Sequence, residues 1–283
     1  MAIRKILVPV EGSAAGRTVL LSALEIGRAH GAHIAAIHVR PDPRLGVPLI
    51  GEGMSAGMVE ELIELTEKET ATRAREAKDL FDTIIGESGL PLASDPTTAG
   101  ASISWAAVDG RAEEEMARRG RIADLIVLGR PAQQPDSDAT MILNTALFET
   151  GRPVLVAPTT PGPIGRRIAV AWNGSAEAAR AVYAAMDFFH RAETIEVVAA
   201  DPDKSKDAEP EALVEYLAWH GLGARLHIVD QDGSVGDTVG KAAAGADLVV
   251  MGAYSHSRLR ELILGGVTRH MLEGTSSALL MAH

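Results

Sequence analysis

"RKILVPVEGSAAG", Arg4 to Gly16, recurs as "RRIAVAWNGSAEA", Arg166 to Ala178. Each copy is a pair of basic residues, an apolar run and a small turn that closes on Gly-Ser. A second pair follows in the same order: "ADLIVLG", Ala123 to Gly129, and "ADLVVMG", Ala246 to Gly252. A chain that repeats its strand-like runs in order is built from two units of one design. The units differ in length. Gly12 to Gly129 is a longer interval than Gly174 to Gly252, and the surplus lies mostly between Pro41 and Pro96. Within it, "MVEELIELTEKETATRAREAKDLFDTII" places Val59, Leu62, Ile63 and Leu65, then Leu80, Phe81, Ile84 and Ile85, at helical spacing around a polar middle, which predicts one long helix.

Between the halves, "APTTPGPIG", Ala157 to Gly165, holds three prolines and two glycines and reads as a linker. The expected domains are therefore residues 1–158 and 164–283. In the first, strands are expected at Ile6 to Val10, His33 to Val39, Ile103 to Val108, Leu125 to Leu128 and Val154 to Val156, with helices at Ser13 to His30 and Glu113 to Arg119. In the second, strands are expected at Ile168 to Ala171, Ile195 to Ala199, Leu226 to Val229, Leu248 to Met251 and Ala278 to Met281. Helices there are expected at Ala176 to His190, Pro210 to His220 and Val235 to Ala244. Apolar strands alternating with helices predict an α/β fold. The architecture expected is two tandem, doubly wound, five-stranded parallel-sheet domains with helices on both faces, packed as a pseudo-two-fold pair. That packing would pair the apolar last strands, Pro153 to Ala157 and Ala278 to Ala282, which are otherwise exposed edges.

Composition narrows the function classes. A net charge of −11 and a pI near 5.3 argue against general nucleic-acid binding, which depends on clustered Lys and Arg. There is no cysteine, so disulfide and thiolate chemistry are excluded. The first residues turn polar too soon for a signal peptide, and no run of about 20 apolar residues exists for a membrane helix. A cytoplasmic protein with no membrane or nucleic-acid partner is expected.

In an open parallel sheet, ligands sit beyond the carboxyl ends of the strands where strand order reverses. In the second half the loops at that place are "WNGS", Trp172 to Ser175, and "MGAYSHSRLRELILGGVTRH", Met251 to His270. Helix-start N–H groups attract an anion, and Gly252, Gly265 and Gly266 would let a phosphate approach the backbone. Ser255, Ser257 and Thr268 add hydroxyls, and His256, Arg258 and Arg260 form a basic cluster facing either phosphate or solvent. The same glycines also suit an ordinary turn after a buried strand. "GDTVGKA", Gly236 to Ala242, lacks the spacing of a P-loop and reads as a turn and helix start.

Together these features resemble the universal stress protein family, over nearly the whole chain and twice over. The resemblance rests on the repeat, the "VPVEGS" and "VAWNGS" strand exits, the two "ADL" strands and the loop after Met251. Nucleotide-binding members carry Gly, two residues, Gly, nine residues, Gly, then Ser or Thr. That loop wraps the phosphates of ATP, while an Asp at the first-strand exit helps hold the adenosine. Carried over, the resemblance implies ATP or another adenine nucleotide held by Asn173, Gly252, Ser255, Gly265, Gly266 and Thr268. Ser255 stands where the family has its second Gly, Gly266 where it has a hydroxyl residue, and Asn173 where it has the Asp. The first half departs further. After Gly129, "RPAQQPDSDATMILNTALFET" has two prolines and the carboxylates of Asp136 and Asp138 where phosphates would lie, and Glu11 replaces the Asp. One nucleotide per chain is expected, in the second half.

Other chemistries have thin support. "HGAH", His30 to His33, straddles a helix end and a strand start, so its rings diverge and no metal site is expected. There is no Gly-x-Ser-x-Gly elbow, and Ser13 and Ser175 read as helix N-caps. Trp172 packs either on a ligand or on the core. The readings left open are a stress-response binding or regulatory protein, a weak ATP hydrolase or nucleotide-dependent transferase in the same pocket, and a ligand-free scaffold. Neither half shows a committed base or a Mg²⁺ carboxylate pair near the loop, so no catalytic residue is assigned. Beyond the intramolecular pair, a further homodimer is open.

Overall fold

The computed structural model describes residues 2–42, 55–96, 100–131, 137–200, 209–231, 233–253 and 266–283. The first half runs β1 (Lys5–Pro9), α1 (Ala14–His30), β2 (His33–Arg40), α2 (Ala56–Ser88), β3 (Ser102–Asp109), α3 (Ala112–Gly120), β4 (Leu125–Leu128), α4 (Asp138–Glu149) and β5 (Val154–Val156). The second runs β6 (Arg167–Ala171), α5 (Ala176–Phe189), β7 (Thr194–Ala200), α6 (Pro210–Trp219), β8 (Arg225–Val229), α7 (Val235–Ala242), β9 (Leu248–Gly252), α8 (Gly266–Gly274) and β10 (Ala278–Ala282). Helices α4 and α8 add to the elements read from the sequence. Both are required by geometry, because β4 and β5, like β9 and β10, are adjacent and parallel and need a crossover.

All ten strands form one sheet in the order β3-β2-β1-β4-β5-β10-β9-β6-β7-β8. Every neighbouring pair is parallel except β5 and β10, which meet antiparallel with Leu279 opposite Val156, Leu280 opposite Leu155 and Met281 opposite Val154. The order therefore reads the same outward from that junction, and the two apolar last strands cover each other's edges as expected.

Helices cover both faces, so the strands are apolar nearly throughout. Ile6 and Val8 of β1 point into a core with α1, α2, α5 and α6, while Leu7 between them joins a second core with α3, α4, α7 and α8. Each core runs unbroken through both halves. The repeated "AD" before β4 and β9 has a structural reason. Asp124 accepts from the N–H groups of Arg4 and Lys5, both at 2.9 Å. Asp247 likewise accepts from Gly165 at 2.8 Å, Arg166 at 2.9 Å and Arg167 at 3.0 Å. Each carboxylate thus ties the entry of its half's first strand to its fourth.

Candidate functional site

The expected N-caps form: Ser13 Oγ accepts from Gly16 N–H at 3.0 Å and Ser175 Oγ from Ala178 N–H at 3.2 Å. Starting α1 and α5 in this way places the β1 and β6 exits beside those of β4 and β9, since β1 pairs with β4 and β6 with β9. These two crevices are where strand order reverses in each half.

In the second half, β6 ends at Ala171, in register with Met251 of β9. Trp172 is partly buried and packs on the first core. Asn173 follows, and its side-chain oxygen accepts from Ser175 N–H at 3.1 Å and Ser175 Oγ–H at 2.7 Å. That oxygen closes the turn into α5. Gly174 completes the turn at φ 71°, a region glycine reaches without strain. Across the crevice, a Cβ on Gly252 would stand 2.5 Å from Ala178 N and 2.8 Å from the Glu177 carbonyl carbon. Gly252 is therefore demanded by the close approach of α5 to the β9 exit, and with Asn173 it brings a helix N-terminus into the crevice.

Of the other expected ligands, Ser255 and Gly265 lie outside the described residues, as do Ser257, His256, Arg258 and Arg260. Gly266 opens α8, is exposed, and has no atom of the described residues within 4 Å of where a Cβ would lie. Thr268, two residues on in the first turn, is only 3% exposed. The stretch Gly236 to Ala242 is a helix start, as expected. Ser234 and Asp237 form a capping box, and Gly236 lets the His270 side chain lie close, its Cβ 2.7 Å from where a Cβ of Gly236 would be.

The first-half crevice is filled by the protein itself. A Cβ on Gly12 would meet Glu76 Cβ at 2.5 Å and the Glu76 carbonyl carbon at 2.7 Å, because the inserted helix α2 crosses the β1 exit there. Phe81 of α2 packs on Trp105 of β3 at 4.8 Å between ring centroids, and Trp105 stacks on His38. Beyond β4, Arg130 leaves its own half altogether. Its guanidinium donates to Leu272 O at 2.6 Å and to Ser277 O, closing on the carboxyl end of α8. Burial pulls its pKa down to about 10, so it stays charged at neutral pH. Asp138 begins α4, and Asp136 lies outside the described residues.

Sequence reasoning did not single out Arg130 or Glu76. The one available signal was a cation directly after Gly129, where the second half has Ala253. The two histidines of "HGAH" part as expected. His30 Nδ1–H donates to Asp187 Oδ2 at 2.7 Å, while His33 bonds Ser102 and Ser104 at 2.9 and 3.0 Å. Burial pushes the His30 pKa down against the pull of Asp187. Burial also opposes the Asp187 charge, but hydrogen bonds from His30 and Ile3 N–H outweigh it and hold that carboxyl below its ordinary value. No helix among the described residues is long and apolar enough to cross a membrane.

Residues 2–138 match the model of the "Universal stress protein family". The matched stretch is the half whose crevice is filled. The sequence matches none of the curated proteins. Among solved structures, a universal stress protein from Archaeoglobus fulgidus DSM 4304 is similar at 16% identity and a TM-score of 0.65, covering 98% of this chain and 95% of that one. A putative universal stress protein from Pseudomonas aeruginosa UCBPP-PA14 is similar at 19% identity and a TM-score of 0.58, covering 99% and 93%. At these identities the likeness is one of fold, and it spans both halves. Residues 2–138 belong to the universal stress protein family, and the whole chain shares the fold of these structures.

Proposed function

We propose that this chain is a stress-response binding and regulatory module whose second half holds one adenine nucleotide, ATP or a close relative, at the β6 and β9 exits. The observation that carries the reading is the contrast between the two crevices. In the first half α2 crowds Gly12 and Arg130 points away. In the second, α5 begins close against Gly252, and among the described residues nothing stands within 4 Å of a Cβ on Gly266. Two helix N-termini, each carrying roughly half a positive charge, suit a phosphate chain. Asn173, Gly252, Ser255, Gly265, Gly266 and Thr268 are the proposed contacts. Binding rather than hydrolysis is proposed, because the second-half crevice shows no carboxylate pair for Mg²⁺ among its described residues.

Calorimetric titration of the full chain with ATP, ADP and AMP tests this, with one site per chain expected. Gly266→Asp adds a side chain where no described residue stands within 4 Å, so the fold should survive it. The new charge, roughly 5 Å from a phosphate at an effective dielectric near 20, costs about 3 kcal/mol, or roughly a hundredfold in affinity. Two sites per chain, or one site indifferent to Gly266→Asp, would place the pocket elsewhere.

A further inference from the structure

A cleft of about 440 Å³ lies over α5 at the junction of the halves, walled by Ile3, Pro153, Ala179, Tyr183, Ala184 and Ala282. Its meaning follows from the internal repeat. Aligning the halves on Ser13 and Ser175 makes Tyr183 the counterpart of Leu21, and Ala2 and Ile3 the counterparts of Ile164 and Gly165. On the other side, Val154 pairs with Ile126 as Leu279 pairs with Val249. That register makes Ala282 and His283 the counterparts of Ala157 and Pro158, and Gly151 the counterpart of Ser276. The cleft is bounded at one end by Ala282 and His283 and at the other by Ala2 and Ile3. Those are the counterparts of the two ends of the interdomain linker.

In the first half, the chain itself occupies the equivalent track. Thr159 N–H donates to Ser276 O at 3.0 Å, Pro161 and Gly162 stand beside Leu21 and Ser22 of α1, and Ile164 packs on the core. Leu21 is partly buried there, whereas Tyr183 is 59% exposed. We propose that the cleft is a second, open copy of the linker track and takes an extended, proline-containing peptide segment of a partner protein. The linker shows what chemistry fits. Its three prolines favour an extended backbone with little entropy left to lose, and such segments dock on exposed aromatic rings. The occupant's backbone N–H would donate to Gly151 O as Thr159 does to Ser276 O. Its prolines would lie on Tyr183 between Ala179 and Pro153, and the cleft's volume lies within the roughly 300–1,000 Å³ of ligand sites. This proposal is independent of the nucleotide reading.

The test uses the full chain and, as probe, the synthetic peptide APTTPGPIG, which copies residues 157–165. Titration followed by NMR should give saturable shifts confined to Gly151–Pro153, Ala179–Ala184 and Ala282–His283. Ala184→Trp fills the cleft and should weaken binding at least tenfold with an unchanged melting temperature. A chain extended beyond His283 by a copy of residues 159–165 should cover its own cleft and lose response to the free peptide, because a short tether gives an effective concentration of order millimolar. No saturable shift at several millimolar peptide would overturn the proposal. So would shifts elsewhere, or binding indifferent to both variants. Perturbation of the same residues by a small apolar molecule but not by the peptide would overturn the peptide assignment.

Discussion

Replacing Arg130 by Met should cost the protein about 2–3 kcal/mol, far more than a surface arginine. The side chain reaches from the β4 exit of one half to the carboxyl end of α8 in the other, donating to Leu272 O at 2.6 Å and to Ser277 O. Hydrogen bonds from a charged donor contribute roughly 1.5–3 kcal/mol each, and a cation at a helix carboxyl end adds about 0.3–1 kcal/mol. Against this stand the desolvation that lowers the Arg130 pKa to about 10 and the ordering of a long side chain, roughly 2 kcal/mol. Methionine keeps most of the apolar contact and none of the donors, so both carbonyls lose a partner. Urea denaturation followed by circular dichroism reads the difference as a lower midpoint at unchanged slope. One transition is expected, since both cores run through both halves. Arg118→Met is the control. Arg118 bonds only Glu115 among the described residues and its side chain is 65% exposed, so it should cost no more than about 0.5 kcal/mol. If Arg130→Met costs as little as the control, the bonds across the junction contribute nothing net and the reasoning fails.

Acid should weaken the protein in two stages. The His30 pKa is lowered by burial, so the unfolded chain takes up the proton first; stability is full above about pH 6.5 and declines as pH falls through the lowered folded value. His33, lowered by burial and by Lys5, acts in the same direction. Asp187 adds a second loss as pH falls through its own lowered value, below the ordinary range near 3.8. Melting temperatures across this range check the order, and His30→Gln should flatten the first stage. Gly252→Ala should destabilise by about 1–3 kcal/mol through the 2.5 Å approach to Ala178 N, whereas Gly266→Ala should leave stability unchanged or raise it by up to about 1 kcal/mol. Thermal melts of the two variants without nucleotide decide whether packing or ligand contact explains each glycine. Residues 163–283 expressed alone expose β10 and should dimerise through it; a monomer in sedimentation equilibrium would contradict the pairing as a source of association.

Much of the fold was legible locally. Buried parallel strands must be apolar on both faces, so "KILVP" and "RIAVA" stand out against their flanks, and Ser13 and Ser175 announce the helices that follow. Asn173 was reached through the family's Asp position, and Gly252 as a glycine at a strand exit that would let a phosphate approach the backbone. The sequence did not disclose their duties, since the Asn173 oxygen closes its own turn and Gly252 makes room for α5.

The repeat by itself determined two units, their order of strands and the place of the crevices. Only the tertiary structure decided that α2 crosses the crevice of the first half and that Arg130 leaves it for the other half. The long helix could be read from its spacing, but nothing local says that Glu76 comes to rest on Gly12, or that Arg130 finds carbonyls more than a hundred residues away. Propensity, periodicity and capping act within a turn or two of helix or along one strand, so they are written in neighbouring residues. Contacts between elements depend on how sheets twist and faces stack, and no stretch of sequence carries that information alone.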